Sequence, residues 1–134
     1  MRILITGCAG FIGFHLCNHL LCSKKKSELF GIDNLNSYYD VDLKKKRIQI
    51  LKKNLNFYFK KVDILNYKIL DNFVKKNKIN IIIHLSAQAG VRYSIHSPRT
   101  YLENNIDGFF NILEISRTYK IQHLLFASSS SVYG

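Results

Sequence analysis

The sequence predicts an α/β fold built on an open, doubly wound parallel sheet, and three observations carry that expectation. Short β-type apolar runs alternate with amphipathic helical runs from one end to the other, without a repeat or a linker. The first apolar run opens into a glycine-rich turn ahead of a helix, and a later run, Asn80–Leu85, is almost continuously apolar, as in a parallel strand covered on both faces. Strands separated by helices join through right-handed crossovers, which place helices on both faces of the sheet. Ligands then belong outside the carboxyl ends of the strands, where strand order reverses.

The elements follow in order. Arg2–Thr6 reads as a buried strand, and the helix after the glycine turn covers Phe11–Ser23, with Ile12, Leu16, Leu20 and Leu21 at helical spacing. Leu29–Ile32 is a second strand, and Val41–Lys53 is helical, with Leu43, Ile48 and Leu51 set among lysines. Asn56–Val62 is a third strand, and Tyr67–Lys76 a helix whose apolar side carries Ile69, Leu70 and Phe73. Asn80–Leu85 belongs at the sheet centre. Pro98 starts a long helix reaching Tyr119, because proline is tolerated in a first turn, and Leu124–Ala127 is the fifth strand.

A length of 134 residues suits one domain by the usual span of about 100–200 residues, so neither disulfides nor a structural metal is required. An apolar fraction of 47% with 17 Phe and Tyr residues excludes disordered, collagen-like and low-complexity classes. No run approaches the ~18 uninterrupted apolar residues of a membrane span, and Met1–Thr6 is too short an apolar run for a signal peptide, so no membrane partner and a cytoplasmic location are expected.

The net charge of +11 raises the question of an anionic partner. Its basic residues fall in short runs, Lys24–Lys26, Lys44–Arg47, Lys52-Lys53, Lys60-Lys61 and Lys75-Lys76, which read as solvated helix faces and turns. No helix-turn-helix, zinc-finger or aromatic-interleaved pattern accompanies them, so nucleic acid is not an expected partner. Cys8, Cys17 and Cys22 lack C-x-x-C spacing and are expected as free thiols, with Cys17 and Cys22 packed and Cys8 more exposed in its loop. His15 and His19, four apart, lack a third ligand, so no metal site is expected.

Every informative motif falls at a strand's carboxyl end. Thr6-Gly7-Cys8-Ala9-Gly10-Phe11-Ile12-Gly13 is a G-x-x-G-x-x-G loop opening a helix. Glycine here permits a tight turn, close backbone approach to a pyrophosphate and close packing of helix on strand, while the helix N-terminus favours an anion. Asp33, at the end of the second strand, lies 20 residues beyond Gly13, the separation at which a carboxylate meets the ribose hydroxyls of an adenosine cofactor. A carboxylate there repels a 2′-phosphate and favours NAD over NADP. Asp63-Ile64, after the third strand, offers a polar contact for the adenine ring or a helix cap at Asp63.

These segments, with His84–Ser94, Asn104–Gly108 and Ser128–Gly134, resemble the extended short-chain dehydrogenase/reductases that act on nucleotide sugars, the NAD-dependent epimerase/dehydratase family with its Rossmann-type fold. Within it, Asp33-Asn34-Leu35-Asn36-Ser37-Tyr38-Tyr39-Asp40 and Ala89-Gly90-Val91-Arg92-Tyr93-Ser94 look most like UDP-glucuronate 4-epimerases, including the capsule-biosynthesis type. The resemblance implies pyrophosphate contacts at Gly7, Gly10, Phe11, Ile12 and Gly13, ribose contacts at Asp33 and Asn34, and adenine contacts at Asp63 and Ile64. It also implies that Leu85, Ser86, Ala87 and Gln88 line the nicotinamide side, that Asn104 lies near the cofactor, and that Ser129 hydrogen-bonds the sugar hydroxyl to be oxidised.

Such enzymes take hydride from C4 of a UDP-sugar onto NAD⁺ and return it to the other face, with a Tyr-x-x-x-Lys pair as the base. Tyr133 does not match that tyrosine and is expected to pack at a strand end. The chain is therefore expected to be an NAD-binding domain over 1–134, truncated after the fifth strand, inactive alone and homodimeric as the full-length protein. Ser130 and Ser131 stand where sugar 4,6-dehydratases of the family carry an acidic pair, which favours epimerisation. Arg92 could receive a sugar carboxylate or phosphate through its fork, or make a structural salt bridge. The alternatives are another nucleotide-sugar 4-epimerase or a 4,6-dehydratase, a non-catalytic NAD-binding module, or nucleic-acid binding driven by the charge.

Overall fold

The computed structural model describes residues 1–23 and 27–134; the Lys24–Lys26 run lies outside the described residues, as do the side chains of Ser130 and Ser131. Five strands form the sheet: β1 (Arg2–Thr6), β2 (Glu28–Asp33), β3 (Phe57–Lys61), β4 (Ile81–His84) and β5 (His123–Phe126). Their order is β3-β2-β1-β4-β5, all parallel, with Leu4 opposite Phe30 on one side and Ile82 on the other. Strand order reverses at β1 and β4, as a doubly wound Rossmann-type sheet requires.

Successive β1 side chains point to opposite faces, and this alternation divides the core in two. Leu4, Phe30, Ile32 and Ile82 pack with Leu70, Phe73 and Val74 of α3 (Tyr67–Asn77) and with Ile112 and Ile115 of α6 (Gly108–Thr118). Ile3, Ile5, Leu29 and Phe57 pack on the other face with Cys17 of α1 (Phe11–Cys22) and Leu51 of α2 (Val41–Leu51). Each such aliphatic side chain contributes about 1.5–3 kcal/mol by leaving water. On the edge strand β3, Lys60 and Lys61 hinder edge-to-edge pairing with another chain.

The five predicted strands and the first three helices all form, within a residue or two of the expected bounds. The predicted helix from Pro98 to Tyr119 is instead composite: α5 (Pro98–Tyr101), a π-helical segment over Leu102–Asp107, then α6. A short helix, α4 (Val91–His96), precedes it and was not expected.

Several side chains depart from the expected faces. Ile12 is 64% exposed, because α1 lies on the glycine loop through Gly13, where a Cβ would come 2.2 Å from the Gly7 carbonyl oxygen. That contact turns Gly13 and Cys17 inward and the neighbouring Ile12 outward. Leu43 and Ile69 are likewise exposed. Cys8 is buried rather than exposed, since its Sγ fills the space over Gly31 that a Cβ would meet at 2.7 Å, whereas Cys22 is exposed rather than packed. Lys44, read as solvated, is only 4% exposed. Tyr133 does not pack at a strand end; it is 91% exposed.

Candidate functional site

A single cleft at the carboxyl edge of β1, β2, β3 and β4 gathers most of the residues singled out by sequence. Gly7 and Gly10 form its floor. Gly7 adopts φ +68°, and a Cβ there would meet the Leu85 carbonyl and the Ser86 nitrogen at 3.0 Å, so the loop lies flush against the chain leaving β4. Gly10 N donates to the Gly7 carbonyl (3.0 Å) and caps α1 without a side chain. The first turn of α1 also lacks an acidic residue. The leading N–H groups of a helix have no intrahelical partner, and here no side chain of the capping residue takes their place, which leaves them for an anion.

Asp33 is buried beside this turn. Its Oδ2 accepts from Ala9 N (3.2 Å) and its Oδ1 from Leu35 N (2.8 Å), so one carboxylate ties the glycine loop to the loop after β2 and still offers lone pairs to the cleft. Asn34 also lines the cleft, and its Nδ2 donates to Asp63 Oδ2 (3.1 Å). Asp63 stands behind the wall: its Oδ1 accepts from Leu65 N (2.9 Å), while Asn66, whose side chain accepts from Ile69 N, is the cap of α3. The helix-cap reading of Asp63 is thus corrected. Ile64 reaches the cleft.

Opposite lies the strip Leu85-Ser86-Ala87-Gln88, all four residues lining the cleft. Thr6, fully buried at the end of β1, holds its first half: Thr6 Oγ1 accepts from Leu85 N and Ser86 N, each at 3.0 Å. Those donors occupy both lone pairs, so the hydroxyl proton goes to His84 Nδ1, 2.9 Å away, and His84 is neutral with its hydrogen on Nε2. Burial beneath Phe109, on which the imidazole stacks at 5.3 Å, pushes the His84 pKa down to about 4. Asn104 lines the cleft from the π segment, with its Nδ2 on the Thr100 carbonyl (2.8 Å).

Phe11 and Ile12 are exposed at the start of α1 and, like Gly13, do not line the cleft. Arg92 is exposed on α4 and enters no salt bridge among the described residues. Ser129 lies on exposed chain after β5, its carbonyl accepting from Val132 N (3.3 Å), and does not line the cleft.

The sequence reading missed Asn36, Tyr38, Tyr39 and Lys44, all at the wall. Lys44 Nζ donates to the Asn36 carbonyl (2.8 Å) and Oδ1 (2.7 Å), and lies 4.3 Å from the centre of the Tyr39 ring. Burial lowers its pKa, opposed by the nearby Asp33 carboxylate. Arg47 donates to the Ala9 carbonyl (3.1 Å), bracing the glycine loop from α2. A signal was present: positions 44, 48 and 51 share one helix face, so Lys44 sits at the spacing of the buried Ile48 and Leu51.

Residues 4–134 match the family model described as GDP-mannose 4,6 dehydratase. Protein CapI of Staphylococcus aureus is 51% identical over the whole chain, which spans 39% of that protein. UDP-glucuronate 4-epimerase of Thermodesulfobacterium geofontis is 43% identical over 97% of the chain and 40% of its own length. Among solved structures, UDP-glucuronic acid 4-epimerase from Bacillus cereus, crystallised with UDP-glucuronic acid and NAD, superposes with a TM-score of 0.90 at 38% identity, covering the whole chain and 42% of its own. The chain thus spans about two-fifths of the length of the relatives it matches. The parallel strand order, the glycine turn with Asp33 beside it and a match that runs across nearly every residue have one consequence: the chain belongs to the GDP-mannose 4,6 dehydratase family.

Proposed function

We propose that residues 1–134 are the NAD-binding domain of a nucleotide-sugar 4-epimerase acting on UDP-glucuronate. The observation that carries this reading is the uncapped α1 N-terminus beside a buried, backbone-fixed Asp33 in one cleft. The cleft suits a dinucleotide: a Cβ at Gly10 would press on the Gly7 carbonyl at 3.1 Å and reach the Tyr39 hydroxyl at 3.7 Å, so glycine lets the loop close up where the pyrophosphate would lie. The names of the Thermodesulfobacterium and Bacillus cereus relatives support the substrate.

In this reading the backbone at Gly7, Gly10, Phe11, Ile12 and Gly13 holds the pyrophosphate, and Asp33 and Asn34 hold the adenosine ribose, the Asp33 charge favouring NAD over NADP. Asp63 steadies Asn34, and Ile64 borders the adenine. Leu85, Ser86, Ala87, Gln88 and Asn104 form the nicotinamide wall. When bound, NAD⁺ supplies the hydride acceptor for C4 of the sugar. Ser129 orients the hydroxyl being oxidised, and Arg92, which has no salt bridge among the described residues, receives the uronate carboxylate. No tyrosine in the sequence is followed four residues later by a lysine, so this chain by itself binds NAD without turning over substrate.

We place the whole protein in the cytoplasm, in polysaccharide biosynthesis, and as a homodimer; the exposed apolar residues Leu102, Ile106, Phe110 and Leu113 along the 98–118 helical stretch support the last. Calorimetric titration with NAD, NADP and duplex DNA at physiological salt tests the reading. It expects NAD to bind more tightly than NADP. Salt-steep DNA binding without NAD affinity would replace it with nucleic-acid recognition.

A further inference from the structure

We propose that Asn105 is a positioning residue for the dinucleotide cleft, acting through the main chain of Gln88, and that the π turn over Leu102–Asp107 is what lets Asn104 and Asn105, neighbours in sequence, serve the same site. The functional half of this inference rests on the NAD reading above. Asn105 does not line the cleft. Its Oδ1 accepts from Gln88 N (2.8 Å) and its Nδ2 donates to the Gln88 carbonyl (3.0 Å), so the carboxamide satisfies both polar groups of one residue, as a neighbouring strand would.

That pairing completes the hold on the strip. Beyond His84 the β1–β4 ladder has ended, and Thr6 takes the N–H groups of Leu85 and Ser86. Two residues further on, Asn105 takes Gln88. The wall segment is therefore pinned at both ends through its backbone, whatever side chains it carries. The Gln88 side chain, buried, folds back so that its Nε2 donates to the Ala89 carbonyl (3.1 Å), further stiffening the exit from the strip.

A regular α-helix rotates about 100° per residue, which separates adjacent side chains, whereas an i→i+5 turn accommodates one more residue per turn. Here Asn104 meets the cleft while Asn105 meets the strip behind it. The π turn is seated from its far end as well. A Cβ at Gly108 would come 2.6 Å from Ile64 Cδ1, so the absence of a side chain lets the helix press on a residue that itself borders the cleft. Displacing the Asn105 carboxamide would release Gln88, and with it one side of the wall, without removing any ligand-contacting atom.

The test combines residue-resolved amide exchange with NAD titration on the 134-residue chain. Asn105→Ala is expected to speed exchange of the Gln88 amide at least ~10-fold and to weaken NAD binding about 10-fold, the scale of one or two net hydrogen bonds, while Leu85 and Ser86 stay protected by Thr6. Asn105→Asp keeps the acceptor for Gln88 N–H but sets a carboxylate oxygen against the Gln88 carbonyl, so it is expected to protect the Gln88 amide better than Asn105→Ala and to recover only part of the NAD affinity. Unchanged Gln88 exchange in Asn105→Ala would overturn the pairing. A freed Gln88 with unchanged NAD affinity would overturn the positioning role, and a uniform rise in exchange across the sheet would reduce Asn105 to a general stabiliser. Should Asn105→Ala fail to fold, Asn105→Ser decides: faster Gln88 exchange together with weakened NAD binding supports the proposal, and unchanged Gln88 exchange, or a freed Gln88 with unchanged NAD binding, overturns it. If the unsubstituted chain itself does not bind NAD, the cofactor reading falls, and the exchange pattern still decides the pairing.

Discussion

The two flanks of the sheet's carboxyl edge are built to different standards. Around β1 and β2, Thr6, Asp33 and Lys44 are buried, and each has its polar atoms engaged by backbone or side-chain partners. Around β5, Leu125 is 44% and Phe126 54% exposed, and the chain continues exposed through Ser129. A buried polar group is costly to disturb because its partner is left unsatisfied in a low dielectric, whereas an exposed one is rescued by water. Within these 134 residues, about two-fifths of the length of the relatives matched, the first flank is therefore held by its own contacts and intolerant of change, whereas the second is not.

The strongest challenge to that contrast is Gly13→Ala. With a Cβ 2.2 Å from the Gly7 oxygen and 2.9 Å from Cys8 Cα, α1 must lift off the loop, and urea denaturation should show a loss of about 3 kcal/mol or more. Retention of full stability would mean that the loop is not packed as described.

Acid comes next. The His84 pKa of about 4 lies below the ordinary value of 6.5 because burial disfavours the imidazolium. Between those values the unfolded chain binds a proton that the folded chain refuses, so stability falls as pH drops from 6.5 toward 4, by up to about 3 kcal/mol. Denaturant midpoints measured across that pH range check this.

Asp33→Ala is expected to weaken NAD binding by about 1–3 kcal/mol, the cost of losing hydrogen bonds to a charged group, and an unaltered dissociation constant would refute the ribose assignment. At the quiet end, Val132→Ala should leave both unfolding free energy and NAD affinity within about 0.5 kcal/mol, as for an exposed residue. A larger effect would erase the difference between the flanks.

Most of the cleft was legible because its signals are local. Gly7 and Gly10 announce a turn that side chains would block, and the distance from Gly13 to Asp33 is one helix plus one strand, whichever residues fill them. Ile64, the strip 85–88 and Asn104 followed from the family resemblance. What escaped depends on contacts between distant residues. Asp63 became a partner of Asn34, 29 positions away, rather than a helix cap. Lys44 looked like one lysine among several until the packing of α2 turned it inward. The π turn left no mark that helix periodicity could register, and the contact made from it, Asn105 with Gln88, spans 17 positions.

By itself, then, the sequence determined the fold class, the strand and helix succession and the place of the glycine turn. Hydrophobic period and glycine placement act over a few residues and survive any tertiary arrangement. Only the folded molecule decided which charges are buried, which side chains of a helix face inward and how the strip 85–88 is pinned. Those outcomes are set by which surfaces meet once the sheet has formed, and by the need of every buried polar group for a partner.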